Sequence, residues 1–548
     1  MYKLNSYTLR DVLVQGSVRY YKRPAIAMIG NPALSYREIG VRAVNFIEKL
    51  ETLGIAPGEN VVLLSENRPE WVIAYLAITA SGRVVVPILT DFHPEQIKNI
   101  IEHAEARIAL VSEKLKPKIS GIALLHIVAI ESILEKKLES FPNRDTLAQL
   151  LNNKFPPVKE TAIAAILYTS GTTGHSKGVM LTHKNLVWDA HATRCIIHLH
   201  RTDRLLSVLP LAHTYECTIG MIDPIMQGSC ITYLDKPPTA TTLLPVLKSL
   251  RPTIMLTVPL IIEKIYRSSI IPKLEAMKLY RHKWARSFLH WIAGLKLKKT
   301  FGGCIRFFGI GGSALSHDVE QFLLDAKFHY AIGYGLTETA PLIAGCGPFK
   351  TKLGSTGPAL QGVSLRIDNP DPVTGDGEIQ AQGPNVMVGY YKDPEKTKEV
   401  FTQDGWFKTG DLGHFDEQGN LYIRGRLKSL ILGPSGENIY PEEIESLLNA
   451  HEFIAESLVY QDGKNLKALV VLKEDMLSKF ASRARDVLED AEEIFNNIKK
   501  SINSRLPPFS RINAIELHNE PFEKTPSQKI KRFLYPKKPA NNDPHTGS

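Results

Sequence analysis

Short apolar runs rich in Val, Ile and Leu alternate with helix-period segments through the first four hundred residues, and several runs stop directly in a loop of Gly, Ser or Thr. This alternation restricts the chain to stacked α/β layers with largely parallel pairing. Residues 36–53 place Ile39, Ala43, Phe46, Ile47 and Leu50 at helical spacing, and the run 60–64 after Pro57-Gly58 reads as a strand. Residues 67–80 predict a helix and 84–88 the next strand; runs at 162–168, 205–209, 254–258, 305–310 and 329–334 continue the series. Ligands of open α/β sheets bind beyond the carboxyl ends of the strands, so the loops that follow these runs are where chemistry is expected. After residue 427 the pattern shortens to a helix at 441–449, strands at 456–460 and 468–472, and a charged helix at 484–504. The division expected is a large domain over 1–427, a small α/β domain over 428–535, and a flexible tail over 536–548 that lacks apolar anchors.

At 548 residues the chain is too long for one core, and its 43% hydrophobic content excludes disorder and fibrous repeats. A net charge of +9 suits anionic ligands or an acidic surface without calling for nucleic acid. Five scattered cysteines form no C-x-x-C pair, so neither a zinc site nor a disulfide framework is expected, and a reducing compartment is. The first residues lack a signal-type apolar core, and the apolar stretch 71–90 is interrupted by Ser81, Gly82 and Arg83. A cytoplasmic protein is expected, with peripheral attachment to a membrane left open.

The string Y-T-S-G-T-T-G-H-S-K-G at 168–178 follows one of the strand-like runs. Gly171, Gly174 and Gly178 free the backbone to turn N–H groups toward an anion; Thr169, Ser170, Thr172 and Thr173 add hydroxyl donors, and Lys177 a charge. Phosphate is the natural guest. It is not a Walker A loop, because His175 and Ser176 separate Gly174 from Lys177.

With this string, six further segments occur in order: D-R-L-L-S-V-L-P-L-A-H-T-Y-E at 203–216, G-I-G-G-S-A-L at 309–315, Y-G-L-T-E-T-A-P at 334–341, T-G-D-L-G at 409–413, R-G-R-L-K-S-L-I running on to G-E-N-I-Y-P-E-E-I-E over 424–445, and K-T-P-S-Q-K-I-K-R at 524–532. Together they resemble the adenylate-forming (AMP-binding) superfamily over nearly the whole chain, and the L-P-L-A-H form is most similar to long-chain fatty acyl-CoA synthetases.

The resemblance implies an acid–thiol ligase that uses ATP, Mg²⁺ and CoA. Thr169, Ser170, Gly171, Thr172, Thr173, Gly174 and Lys177 would hold the departing phosphates, Thr172 and Glu338 would hold Mg²⁺, and Thr337 would hydrogen-bond the α-phosphate. Gly312, Ser313, Tyr334 and Gly335 would line the adenine slot, with Asp411 on the ribose and Arg426 on ribose or phosphate oxygens. His213 is assigned to the acyl pocket or nucleotide edge. Lys529 would bridge carboxylate and α-phosphate oxygens, Lys428 marks the hinge of the mobile small domain, and Gly436, Glu437 and Asn438 belong to the pantetheine passage. Read alone, Glu338 is a helix cap, Asp411 a turn residue, Tyr334 a core aromatic, His213 a structural histidine and Lys529 a solvated lysine; their order within the motifs favours the roles above. The family's usual Gly before the closing lysine is Gln528 here.

The implied reaction joins a fatty acid to AMP and then passes the acyl group to CoA. Acyl carrier protein is an alternative acceptor, and a catalytically silent lipid or nucleotide sensor a third reading, disfavoured because Thr172, Glu338, Asp411, Arg426 and Lys529 are all present. Long saturated or monounsaturated chains are expected from the resemblance alone, in a tunnel formed within 186–345. Finally, residues 273–299 carry eight basic side chains against Glu275 alone, +7 of the chain's +9. With Trp284, Phe288, Trp291 and Leu295 at helical spacing, the stretch predicts an amphipathic helix. It is read either as a helix whose aromatic face packs on the large domain, as a docking face for acidic acyl carrier protein, or as a contact for an anionic membrane.

Overall fold

β-Branched and leucine residues with no polar alternation build the interior strands. Asn60–Leu64 (Asn-Val-Val-Leu-Leu) and Val84–Pro87 are buried along nearly their whole length, as strands covered on both faces must be. The computed structural model describes residues 4–135, 138, 140–170, 176–433, 437–463, 465–473, 487–525 and 529–535. It divides into two units: Met1–Thr169, Ser176–Thr409 and His414–Tyr422 form the first, and Ser170–His175, Gly410–Gly413 and Ile423–Ser548 the second.

The first unit holds two large sheets. One runs in the order Leu342–Gly345, Tyr330–Gly335, Phe307–Ile310, Ile254–Thr257, Arg204–Ser207, Cys230–Tyr233, Pro24–Met28 and Leu34–Ser35. Its central strands are parallel in close register, with Ile254 opposite Phe307 and Phe308 opposite Tyr330. The other runs Gly389–Tyr390, Ser176–Thr182, Ile163–Ser170, Val84–Pro87, Asn60–Leu64, Ile108–Val111 and His126–Ala129. A smaller sheet begins with the antiparallel pair Ser364–Asp368 and Gly377–Gln382.

Local chemistry explains the helices between the strands. Tyr36–Thr52 starts at Ser35 in a capping box with Glu38 and buries Ile39, Ala43, Phe46, Ile47 and Leu50. Pro69–Ala80 starts with proline in its first turn and is buried on every side. The apolar stretch 71–90 is therefore a core helix followed by a strand. The turn between them uses Gly82 at φ +76° and the Arg83 guanidinium, which donates to the Ile55 carbonyl. Among the described residues no helix is long and apolar enough to cross a membrane.

The second unit contains the strands Ile454–Asp462, Asn465–Leu472 and Ala514–Leu517 and the helices Pro441–Asn449 and Val487–Asn503. Ile444, Leu448, Val459, Ala468, Val470, Ile498 and Ile502 form its core. The start of the helix expected at 484 and the expected tail over 536–548 lie outside the described residues.

The single amphipathic helix expected over 273–299 is corrected. The stretch forms the end of a short helix, Ile271–Glu275, a 3₁₀ turn, Lys278–Arg281, and one long helix, Lys283–Thr300. The breaks fall at Met277 and His282, whose backbones are extended. The expectation that its aromatic face packs on the domain is also corrected. Ala285, Leu289, His290, Gly294 and Leu297 face inward, while Trp284, Phe288, Trp291 and Leu295 face solvent.

Candidate active site

Four neighbouring parallel strands of the first sheet, Arg204–Ser207, Ile254–Thr257, Phe307–Ile310 and Tyr330–Gly335, point their carboxyl ends the same way. They deliver His213, the Gly311–Ser313 turn and the Tyr334–Glu338 segment to one edge of the sheet, where open α/β sheets bind ligands. Gly312 takes φ +92°, and both Gly312 and Ser313 are exposed. Gly335 is required by close approach: a Cβ there would stand 1.9 Å from the Pro341 carbonyl oxygen. Tyr334 is half-buried, and Thr337 and Glu338 lie in the 3₁₀ turn Thr337–Thr339 that follows.

That turn is fastened from beneath. Asn385, fully buried, donates through Nδ2 to the carbonyls of Thr339 (2.8 Å) and Leu342 (2.7 Å) and to Asp189 Oδ1 (3.2 Å), while Asp189 Oδ2 accepts from the Leu342 N–H. Burial raises the Asp189 pKa well above the usual carboxylate range. Neither residue belongs to a segment that sequence reading singled out. Their partners lie up to 196 positions away, and no local spacing announces them.

The second sheet supplies the cation. Lys177 sits on Ser176–Thr182 with its ammonium 5.2 Å from the centre of the Tyr390 ring. The Tyr390 hydroxyl donates to Glu338 Oε1 at 3.0 Å, and the Met387 N–H donates to the Glu338 carbonyl at 2.8 Å. Tyr390 therefore joins the lysine of one sheet to the carboxylate that follows a strand of the other. Sequence reasoning missed it; the only signal was Gly389-Tyr390 in an otherwise unremarked V-M-V-G-Y-Y segment. Thr169 is half-buried near the end of Ile163–Ser170, and Gly171, Thr172, Thr173 and Gly174 lie outside the described residues.

Among the described residues no cluster of three or more His, Cys, Asp or Glu could hold a metal ion. Mg²⁺ usually binds through one or two carboxylates together with substrate phosphates rather than in an all-protein cage. The half-buried Glu338 carboxylate, steadied by Tyr390, fits that mode.

His213 is half-buried in the loop after Arg204–Ser207, and its Nδ1 accepts from the Tyr215 N–H at 3.3 Å. Tyr215 opens a π-helix, Tyr215–Ile222, and its side chain lies against Gly309 and Gly311, where added Cβ atoms would come within 3.0 Å of its hydroxyl and 3.2 Å of its ring. An apolar cavity of about 30 Å³ lies here, lined by Ile196, Tyr215, Ile219, Leu256, Gly309 and Gly333 among others. Glu216, beside Tyr215, is fully buried; burial pushes its pKa up to about 8.

In the second unit, Asp411 is buried and accepts at Oδ1 from Arg426 Nε at 2.6 Å, so the two residues assigned to the nucleotide pair with each other. Lys428 is exposed in the 3₁₀ turn Leu427–Ser429. Glu437 and Asn438 are half-buried, Asn438 in a short strand opposite Leu432, and Gly436 lies outside the described residues. The closing motif is anchored by its other basic residues: Lys524 pairs with Glu456, and Arg532 with Glu445. Lys529 is exposed, its backbone held by Thr525: the Lys529 N–H donates to Thr525 Oγ1 at 3.2 Å and the Thr525 N–H to the Lys529 carbonyl at 2.8 Å.

The AMP-binding enzyme family matches residues 15–391, more than half of the sequence, and the chain belongs to that family. It is 30% identical to the peroxisomal long chain acyl-CoA synthetase 6 of Arabidopsis thaliana, over 91% of this chain and 79% of that protein. It is also 30% identical to the long-chain-fatty-acid–CoA ligase FadD15 of Mycobacterium bovis, over 90% of this chain and 88% of that one. Among solved structures it is similar to ATP-bound MatB from Rhodopseudomonas palustris, with a TM-score of 0.76, 25% identity, and coverage of 96% of this chain and 98% of that one.

Proposed function

We propose that the protein activates a long-chain fatty acid with ATP and transfers the acyl group to CoA. The observation that carries the reading is the 30% identity, spread over nine-tenths of the chain, to relatives named as long-chain acyl-CoA synthetases and ligases. In the first step a carboxylate oxygen attacks the α-phosphorus of ATP, the bond to the β-phosphate bridging oxygen breaks, and pyrophosphate leaves. In the second the CoA sulfur attacks the acyl carbon and AMP leaves with the bond electrons, the thiol proton passing to solvent.

Bringing a carboxylate to a triphosphate sets two anions together, so the chain's task is neutralisation and alignment. Lys177, Thr169, Ser170, Gly171, Thr172, Thr173 and Gly174 are assigned to the departing phosphates. Glu338 and Thr172 would hold Mg²⁺, which supplies charge neutralisation on the phosphates when bound. Thr337 donates to the α-phosphate, Gly312, Ser313, Tyr334 and Gly335 border the adenine, and Asp411 accepts from the ribose hydroxyls beside Arg426. Lys529 bridges carboxylate and α-phosphate oxygens in the first step only; movement about Lys428 then brings Glu437 and Asn438 to the pantetheine arm. The acyl chain is assigned to the carboxyl end of this sheet, with His213 at the acyl pocket or nucleotide edge; the apolar cavity beside Gly309 and Gly333, about 30 Å³, has room for about one water, so an acyl chain entering there would need Tyr215 or its neighbours to move.

The test is ATP–pyrophosphate exchange over a series of carboxylic acids. Exchange is expected to peak at long saturated or monounsaturated chains. A peak at acetate or an aromatic acid would overturn the substrate assignment, and exchange with no carboxylate would favour a silent sensor.

A further inference from the structure

The helix Lys283–Thr300 is fully anchored by one face. Ala285 and Leu289 pack with Leu274, Gly294 lies so close to Ala326 that a Cβ would stand 2.6 Å from its side chain, and His290 bonds Asp325 at 2.8 Å and the Tyr280 hydroxyl at 2.9 Å. The opposite face is exposed, yet it is strongly apolar. Trp284, Phe288, Trp291 and Leu295, spaced four, three and four residues apart, form one stripe and are 77%, 55%, 41% and 51% exposed. The Phe288 and Trp291 rings stack at 6.1 Å. Met277 and Leu279, in the preceding segment, are exposed as well. A contiguous exposed apolar patch of this kind marks an interaction surface.

Charge narrows the occupant. Lys298 and Lys299 lie on either side of the stripe in the last turn, and Lys273, Lys278, Arg281, Lys283 and Lys296 stand close by in sequence, with Glu275 as the one acid between 273 and 299. No ion pair involves any of these seven basic residues among the described residues. A second copy of the chain would set like charge against like. An anionic bilayer satisfies both features: tryptophans favour the interfacial layer, leucine and phenylalanine enter the acyl boundary, and long lysine side chains reach back to the headgroups.

We propose that this outward stripe, with its lysine flanks, docks the protein on an anionic lipid bilayer. The proposal rests on the helix alone and stands whatever acid the enzyme activates. Its test is flotation of the full chain with vesicles of phosphatidylcholine alone or mixed with phosphatidylglycerol, over a salt series, without substrate. Binding is expected to the anionic vesicles, to weaken as salt rises, and to fall about a hundredfold in the triple variant K296E/K298E/K299E. It is also expected to be lost in W284S/F288S/W291S/L295S, with the melting temperature retained. Brominated acyl chains should quench the tryptophan emission of the bound wild type and leave that of W284F/W291F unchanged, a readout that holds even if the fourfold variant misfolds.

No binding to anionic vesicles, binding that both surface variants retain, or quenching that persists in W284F/W291F would each overturn the proposal. So would binding lost on charge reversal but kept by the stripe variant, which is adsorption by charge alone, or capture of purified acyl carrier protein by this face with no vesicle binding.

Discussion

Tyr390 serves two opposite charges at once: its ring faces the Lys177 ammonium and its hydroxyl donates to Glu338. A hydrogen bond to a charged group contributes about 1.5–3 kcal/mol, so Tyr390→Phe is expected to lower kcat/KM for ATP by about tenfold or more and to shift the Mg²⁺ dependence upward. The melting temperature should stay near the wild-type value, because the ring still covers Lys177. Tyr390→Leu, which loses both contacts, should be worse; equal Mg²⁺ dependence in wild type and Tyr390→Phe would remove Tyr390 from the site. Glu216 makes a separate prediction. Its folded pKa of about 8 exceeds its ordinary value of 4.5, so the native state keeps a proton that the unfolded chain releases between those pH values. This contribution to stability is fully present below pH 4.5 and is lost as pH rises toward 8. Glu216→Gln removes the loss, so its melting temperature relative to wild type should climb from pH 5 to pH 8 and then level off. A difference independent of pH would show that the carboxyl does not titrate in this range.

Strand runs and helix starts were legible because their causes are local. The run 60–64 became the strand Asn60–Leu64, and the expected helix 441–449 is Pro441–Asn449, with proline and two acids in its first turn. The 273–299 stretch was legible in composition but not in orientation: helical spacing showed that two faces exist, and only packing against Leu274 and Ala326 decided which one turns inward. The T-E-T segment was singled out in the sequence, whereas Asp189, Asn385 and Tyr390 were not, since each acts through partners that are distant in sequence. The π-helix Tyr215–Ile222 also escaped, because one inserted residue leaves no mark in hydrophobic period. It presses Tyr215 on Gly309 and Gly311, beside the apolar cavity. Tyr215→Ala should enlarge that cavity and shift kcat/KM toward longer or bulkier acids, by about fourfold for each further methylene buried. An unchanged chain-length profile would place the acyl chain elsewhere.

At the scale of the whole molecule, the residues proposed for chemistry are divided between the two units. The first carries Lys177, Tyr390, Glu338 and the sheet edge, and the second carries Asp411, Arg426 and Lys529. In the closing motif Lys524 and Arg532 are tied to Glu456 and Glu445, while Lys529 stays exposed. We propose that a lysine presented this way serves one half-reaction and is absent from the other. The measurement that tests it most directly separates the two half-reactions by mass spectrometry, using a long-chain fatty acid, ATP and Mg²⁺ with and without CoA, on wild type and Lys529→Ala. Wild type should form acyl-AMP without CoA, and acyl-CoA with AMP when CoA is added; Lys529→Ala should lose acyl-AMP formation severely yet convert supplied acyl-AMP and CoA to acyl-CoA at a substantial rate. ADP in place of AMP, no acyl-AMP from any fatty acid, or equal loss of both half-reactions in Lys529→Ala would contradict it.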